Sequence, residues 1–426
     1  MKQRPLRWMR LDNAAKIYPA NRRRKWSNVF RLSATLQEPI DPIVLQSALD
    51  VTIHRFPSIA GRLRRGMFWY YLEEIPQAPK VQPENAHPLT RMPFDDIRKC
   101  AFRVLYYNRR IAVEFFHALT DGNGGMVFLK TLVAEYLGQK YGLQIPNDKG
   151  VLDRTQPATE AELEDSFLKT KSLVKASRRE ESAFRLRGTQ EKDGFLTVTT
   201  GILDVEQVLM MARAYGVSLT VFMASVLMMA ILKMQNQAVP KRKRQKPVKV
   251  LIPVNLRKLF PSMSLRNYVL YITPGVDPKL GEYTFEEVLQ TVHHQMGVEL
   301  TPKKMAAKVQ TNVEAEQLLV LKLMPLFLKN IAMKMVYDAV GERNSCLTLS
   351  NLGAVSLPET MKPYVKRLDF VLGVQATRPN NLGMLSYDGK LYCNFIRNIR
   401  EPTLEREFFT FLRKLGLHVK VESNQR

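Results

Sequence analysis

Apolar and polar residues alternate along WSNVFRLSATL (26–36), and this period of two predicts a strand. The period changes over DPIVLQSALDVTIHRFPSIAGRL (41–63). Apolar residues there recur at helical spacing until Pro57 and Gly61. MFWYYLEEI (67–75) is aromatic and strand-like. AFRVLYYNRRIAVEFFH (101–117) divides at Asn108–Arg109 and predicts a hairpin, and MVFLKTLVAEYL (126–137) predicts an apolar helix.

From Pro146 to about Gly194 the chain turns polar and charge-mixed, with few β-branched residues, which predicts a linker or surface excursion. The pattern then resumes with GFLTVTTGILD, a helix near 204–215 and the run VSLTVFMASVLMMAIL (217–232). As a helix that run would span roughly 24 Å, short of a ~30 Å hydrocarbon core, so it reads as a buried helix and not a membrane span. A basic loop follows at 240–247, then a buried strand ending at Arg257. Helices are expected at 284–300 and 315–340, and strands in CLTLSNLGAV, RLDFVLGVQAT and GMLSYDGKLYCNFI. The pair Asp388–Gly389 is a strong hairpin signal, and EREFFTFLRKLG closes the chain as a helix. Mixed strands and helices in both halves predict an α/β (α+β) protein of two lobes: 1–155, a polar linker at 156–194, and 195–426.

Composition narrows this only partly. Hydrophobic residues make up 45% of the 426, enough for globular packing throughout. A formal charge of +24, from 64 basic against 40 acidic residues, attracts polyanions but names none. Cys100, Cys346 and Cys393 are widely spaced with no CxxC pair, which excludes a disulfide framework or a zinc site and suits a reducing compartment. The first twenty residues carry charges every few positions and no apolar run, so no signal peptide is expected and the cytoplasm is the expected location.

The candidate chemistry lies in AVEFFHALTDGNGGMVFLKTL (112–132). Ile111, Val113, Phe115 and His117 share one strand face, so His117 ends an apolar run. A lone histidine there is ordinarily a satisfied core residue. Glycine alters that reading, because Asp121 and Gly122 suggest a turn, and Gly124 and Gly125 suggest positive φ and close approach by a ligand. Neutral imidazole can take a proton from a hydroxyl or thiol, worth roughly 10² to 10⁴ in rate. Asp121 could be a second acid–base group, an orienter of the histidine, or an ion-pair partner; spacing alone does not choose.

HALTDG (117–122) resembles the HxxxDG motif of the coenzyme A-dependent acyltransferase superfamily. Its companions follow in order: IPVNLR (252–257), RNYV (266–269), LSNLGAV (349–355) and RLDFVLG (367–373). PIDPIVLQSALDVTIHRFPSIAGRL resembles the first long helix of that family, and RLDNAAKIYP with SNLG looks closest to bacterial alcohol acetyltransferases. The resemblance covers about residues 10 to 415. It implies two chloramphenicol acetyltransferase-like sandwich lobes, related as a pseudo-dimer, with a channel between them. His117 would be the general base, Asp121 a structural partner of Arg257 in a bidentate pair, and Gly122 the residue that permits the turn. Ser350 and Asn351, and with them Asn255 and Asn267, match positions where oxyanion or donor-site contacts are expected.

The implied reaction moves an acyl group, acetyl first, from acyl-coenzyme A as co-substrate to the hydroxyl of a small or lipid-like alcohol, with no permanently bound cofactor. Two alternatives stay open: an acyl donor carried on an acidic carrier protein, and a non-catalytic binding homologue of the same fold. Phe116 stands where condensation domains and wax ester synthases carry a second histidine, which favours the single-histidine acetyltransferases. DFVLG stands in place of the plant signature DFGWG, so a plant-type donor site is not implied.

The basic run KRKRQK (241–246) has no interleaved aromatic residues, so a solvated loop is expected and not a nucleic-acid site. LLVLKLMPLFLKNIAMKMVY (318–337) could be a membrane-surface segment, but core packing with Lys322, Lys329 and Lys334 snorkelling outward is the expectation. His293 and His294 are adjacent, so they point different ways on a helix and imply no metal site.

Overall fold

The architecture comes from a computed structural model that describes the chain except for residues 1–5, 21–27, 85–86, 171, 178–180, 318–323, 337–342, 376–377 and 426. A five-stranded sheet organises the first half. Its order is β13 (Val365–Val371), β2 (Val29–Leu36), β7 (Arg110–Phe116), β6 (Phe102–Tyr107) and β5 (Gln82–Pro83). The predicted hairpin is β6–β7, turning at Asn108 with φ +49°. Strands β2 and β7 run antiparallel with Val29 opposite Phe116. That register places the residue after Phe116 at the end of the sheet, beside the start of β2.

A smaller antiparallel sheet joins β1 (Trp8–Arg10), β4 (Tyr70–Glu74) and β3 (Gly61–Arg65). The strand Gly61–Arg65 begins where the helical pattern ends, at Gly61. The helix before it ends at Thr52, and its start is fixed by Asp41, whose side chain accepts from the Ile43 and Val44 amides.

The second half is built on an eight-stranded sheet. Its path is β10 (Val269–Ile272), β9 (Val248–Asn255), β12 (Leu347–Ala354), β14 (Asn380–Tyr387), β15 (Lys390–Arg397), β8 (Thr197–Asp204) and β16 (Lys420–Ser423), with β11 (Gly275–Val276) on β9. β14 and β15 form the hairpin expected at Asp388–Gly389, where both residues have positive φ (+49° and +70°). The run at 217–232 enters the helix Leu219–Ala238 at the run's third residue, after the N-cap Ser218. That helix is long and apolar enough to cross a membrane, yet most of it is buried in the core of this half, which it shares with Phe285 and Phe408.

Three features depart from the sequence reading. β13 belongs to the second half by sequence but completes the first sheet by pairing with β2, so the two halves are laced together. The polar stretch at 146–194 is pinned to the fold at several points: Phe167, Ala183 and Leu186 are buried, and Glu162 meets Arg55 in a buried fork of 2.6 and 2.8 Å. The helix expected over 315–340 is described as two, Pro302–Gln317 and Leu326–Val336, with 318–323 and 337–342 outside the described residues. Lys329 does not snorkel outward. It is buried, with Nζ 3.4 Å from the Trp69 ring centroid and bonded to the Phe68 carbonyl. The ring and the carbonyl replace solvent around the ammonium. Lys322 and the side chain of Lys334 lie outside the described residues.

Candidate active site

His117 follows β7 directly, and its backbone N–H donates to the Asn28 carbonyl just before β2. Its ring stacks on Tyr18, centroids 4.6 Å apart, and Phe30 covers it at 4.9 Å. From the second half, Asn267 brings its side-chain oxygen to 3.1 Å from His117 Nδ1. His117 is thus held by residues of both halves, yet it stays partly exposed. A cavity of about 560 Å³ opens between the halves at the same end of the first sheet, lined by Val29, Leu89, Arg91, Phe195, Val374 and Asn398.

Burial holds the His117 pKa below its ordinary value, against the opposing pull of its own backbone, the Asp121 carboxylate and the Asn267 hydrogen bond. The ring is therefore neutral at pH 7, as a base must be.

Asp121 is the N-cap of the helix Gly122–Tyr141. One oxygen accepts from the Asn123 and Gly124 amides at 3.0 and 3.1 Å. The other accepts from Arg257 Nη1 at 2.7 Å and from the Tyr268 amide at 3.0 Å. With four donors the carboxylate is fully engaged and buried. The pair with Arg257 is not bidentate, because the rest of that guanidinium serves other acceptors. Its Nε donates to the Ser264 carbonyl at 2.9 Å and its Nη2 to the Arg266 carbonyl at 2.5 Å.

The glycines act differently from the turn expected of them. Gly122, Gly124 and Gly125 are the first turn of the helix, and none has positive φ. They are small because neighbours crowd them. A Cβ on Gly122 would sit 2.7 Å from the Leu352 side chain, and one on Gly124 would sit 2.2 Å from the Leu265 carbonyl oxygen. The approach they allow is by the chain's own backbone and core.

The oxyanion candidates separate on their hydrogen bonds. Asn255 caps the turn at Leu256–Lys258 and accepts from Arg257. Asn351 donates to Thr220 Oγ1 at 3.1 Å and accepts from the Gly353 amide. Asn267 has its amide committed to Asp12 and its oxygen to His117. Ser350 sits on β12 two residues before Leu352, the side chain that reaches Gly122.

Sequence reasoning missed Asp12 and Tyr18. Both lie in RLDNAAKIYP, used above only as a family mark, and more than ninety positions separate them from His117. No spacing could have revealed that contact.

The family model "alcohol acetyltransferase" matches residues 166–376, a span with Arg257, Asn267 and Ser350 but without His117. No curated protein matches the chain. The fold resembles the trichothecene 15-O-acetyltransferase of Fusarium sporotrichioides (11% identity, 95% of this chain and 93% of that one, TM-score 0.60). It also resembles the first condensation domain of the calcium-dependent antibiotic synthetase (16%, 97% and 99%, TM-score 0.60). A third neighbour is F. sporotrichioides TRI101, solved with coenzyme A and T-2 (12%, 98% and 100%, TM-score 0.57). The chain thus shares a segment with the alcohol acetyltransferase family model and its fold with these acetyltransferases and condensation domains. The two-lobed fold of these neighbours is the architecture described above, with His117 and Asp121 at the seam.

Proposed function

We propose that this acyltransferase moves an acyl group, acetyl first, from acyl-coenzyme A to an alcohol hydroxyl, with His117 as general base. His117 Nε2 takes the hydroxyl proton as the oxygen attacks the thioester carbonyl. The tetrahedral intermediate collapses, the carbon–sulfur bond breaks, and the imidazolium returns the proton to the leaving thiolate. An ester and free coenzyme A result. The observation that carries this reading is a neutral, partly exposed His117 whose Nδ1 is occupied by Asn267, which leaves Nε2 for the substrate.

Asp121 and Arg257 hold the turn after His117 and take no proton in this scheme. Ser350 and Asn255 are the remaining oxyanion candidates, since the side-chain NH₂ groups of Asn267 and Asn351 already donate to Asp12 and Thr220 while Asn255 uses its oxygen. A neighbour solved with coenzyme A and another that is an O-acetyltransferase support the donor and the acceptor class. Transfer is direct. Burial raises the thiol of Cys100 to about 11 and that of Cys346 to about 12, and raises Cys393 further, so no cysteine is poised to hold the acyl group. The free thiols at all three positions suit the cytoplasm, which belongs to the same proposal.

A second donor reading has its own support in the condensation-domain neighbour and in the exposed basic segment Lys241–Arg244, which would suit an acidic carrier protein. Thioester consumption across a panel of alcohols, with coenzyme A and carrier-bound donors side by side, tests both. Ester formation from the free coenzyme A thioester supports the first; no transfer from either donor contradicts the enzymatic reading.

A further inference from the structure

This inference rests on His117 as the base proposed above. We propose that Asp12 is a positioning residue that acts through Asn267 to hold the His117 ring in the tautomer with a free lone pair on Nε2. Asp12 is fully buried. One of its oxygens accepts from the Ala15 amide at 2.7 Å. The other faces both the backbone amide and the side-chain amide of Asn267, each at 3.3 Å.

The argument is one of donors and acceptors. An ionised carboxylate only accepts, so it must face the NH₂ end of the Asn267 side chain. A reversed amide would turn its oxygen onto the carboxylate and bring its NH₂ against His117. The orientation leaves the amide oxygen 3.1 Å from His117 Nδ1, and that oxygen also only accepts. Nδ1 must then carry the ring hydrogen and Nε2 the lone pair. Stacking on Tyr18 and the cover of Phe30 keep the ring from turning over.

The carboxylate is held there at a cost. Burial raises Asp12 to about 6; Arg266 opposes that rise and Asp165 adds to it. Arg266 is not a close partner. Its Nε lies 3.9 Å away, while its terminal nitrogens donate to the Leu163 and Arg10 carbonyls. What the buried charge does at close range is orient Asn267 and bind the Ala15 amide.

The test reads the tautomer itself, which needs no substrate. With histidine labelled by ¹⁵N, the His117 signals among the six histidines are those lost in His117→Ala. The wild-type ring is expected to show a protonated Nδ1 and an unprotonated Nε2. In Asp12→Asn that preference is expected to collapse or reverse, and kcat to fall about tenfold or more with KM within about twofold, since a wrong tautomer removes the base and not the binding. Asn267→Leu removes the same link from its other end, and decides the matter if Asp12→Asn does not fold. An unchanged His117 tautomer in the folded variants overturns the inference. Retained turnover in His117→Ala would instead overturn the reaction assignment and leave the tautomer result to be read on its own.

Discussion

Arg257 Nη1 lies 2.7 Å from Asp121 Oδ2, joining the turn after His117 to the segment between β9 and β10. Both side chains are nearly closed to solvent, at 10% and 2% exposure. The second-half residue Tyr268 adds its amide to the same oxygen. The carboxylate thus ties the two halves together four residues from the base.

Asp121→Asn is expected to cost about 3–5 kcal/mol, because it leaves a buried guanidinium without its charge partner. Arg257→Met should cost a similar amount, and the double variant less than the sum. Chemical denaturation of the four proteins gives the cycle. An unchanged melting temperature in Asp121→Asn contradicts the structural role.

Gly124→Ala is expected to destabilise by about 1–3 kcal/mol, since the new Cβ meets the Leu265 carbonyl oxygen and Thr120 Oγ1 at 2.2 and 2.3 Å. Gly142→Ala is a contrasting control, because nothing lies within 4 Å of its Cβ and its cost is that of φ +68° alone. Thermal melts separate the two, and equal costs would contradict the crowding argument.

How much of this was legible beforehand depended on whether the signal was local. The hairpin at Asn108–Arg109 and the Asp388–Gly389 turn were legible from turn chemistry, and the Asp121–Arg257 pair only from the family resemblance. Asp121 and Gly122 suggest a turn, and Gly124 and Gly125 positive φ, because glycine permits it, whereas here glycine is needed for its missing side chain. Asp12 and Tyr18 had no local signature. Their contacts with Asn267 and His117 exist only once the halves close. The pairing of β13 with β2 was hidden for the same reason, since a strand's sequence does not say which sheet it joins.

The pH dependence follows from His117. The base must be neutral, and burial lowers its pKa below 6.5, so the active form persists as the pH falls past 6.5 and is lost only below the lowered value. The kcat/KM profile should therefore hold its plateau at pH 6.5, with its acid limb at lower pH. In Asp121→Asn the loss of the nearby negative charge should move that limb further down. A wild-type limb centred above 6.5 contradicts the neutral-base assignment.

Direct transfer requires both substrates to be bound at once. Initial rates with acyl-coenzyme A and alcohol varied together should give intersecting double-reciprocal lines. Parallel lines, with an acylated protein isolated by mass spectrometry, would contradict direct attack.

Turnover of His117→Ala, compared with wild type on the same acyl-coenzyme A and alcohol, bears most directly on the whole account. A kcat lower by at least ~10², in a protein that keeps its far-ultraviolet circular dichroism and melting temperature within a few degrees, is the predicted result. Near-normal turnover in that folded variant would contradict it.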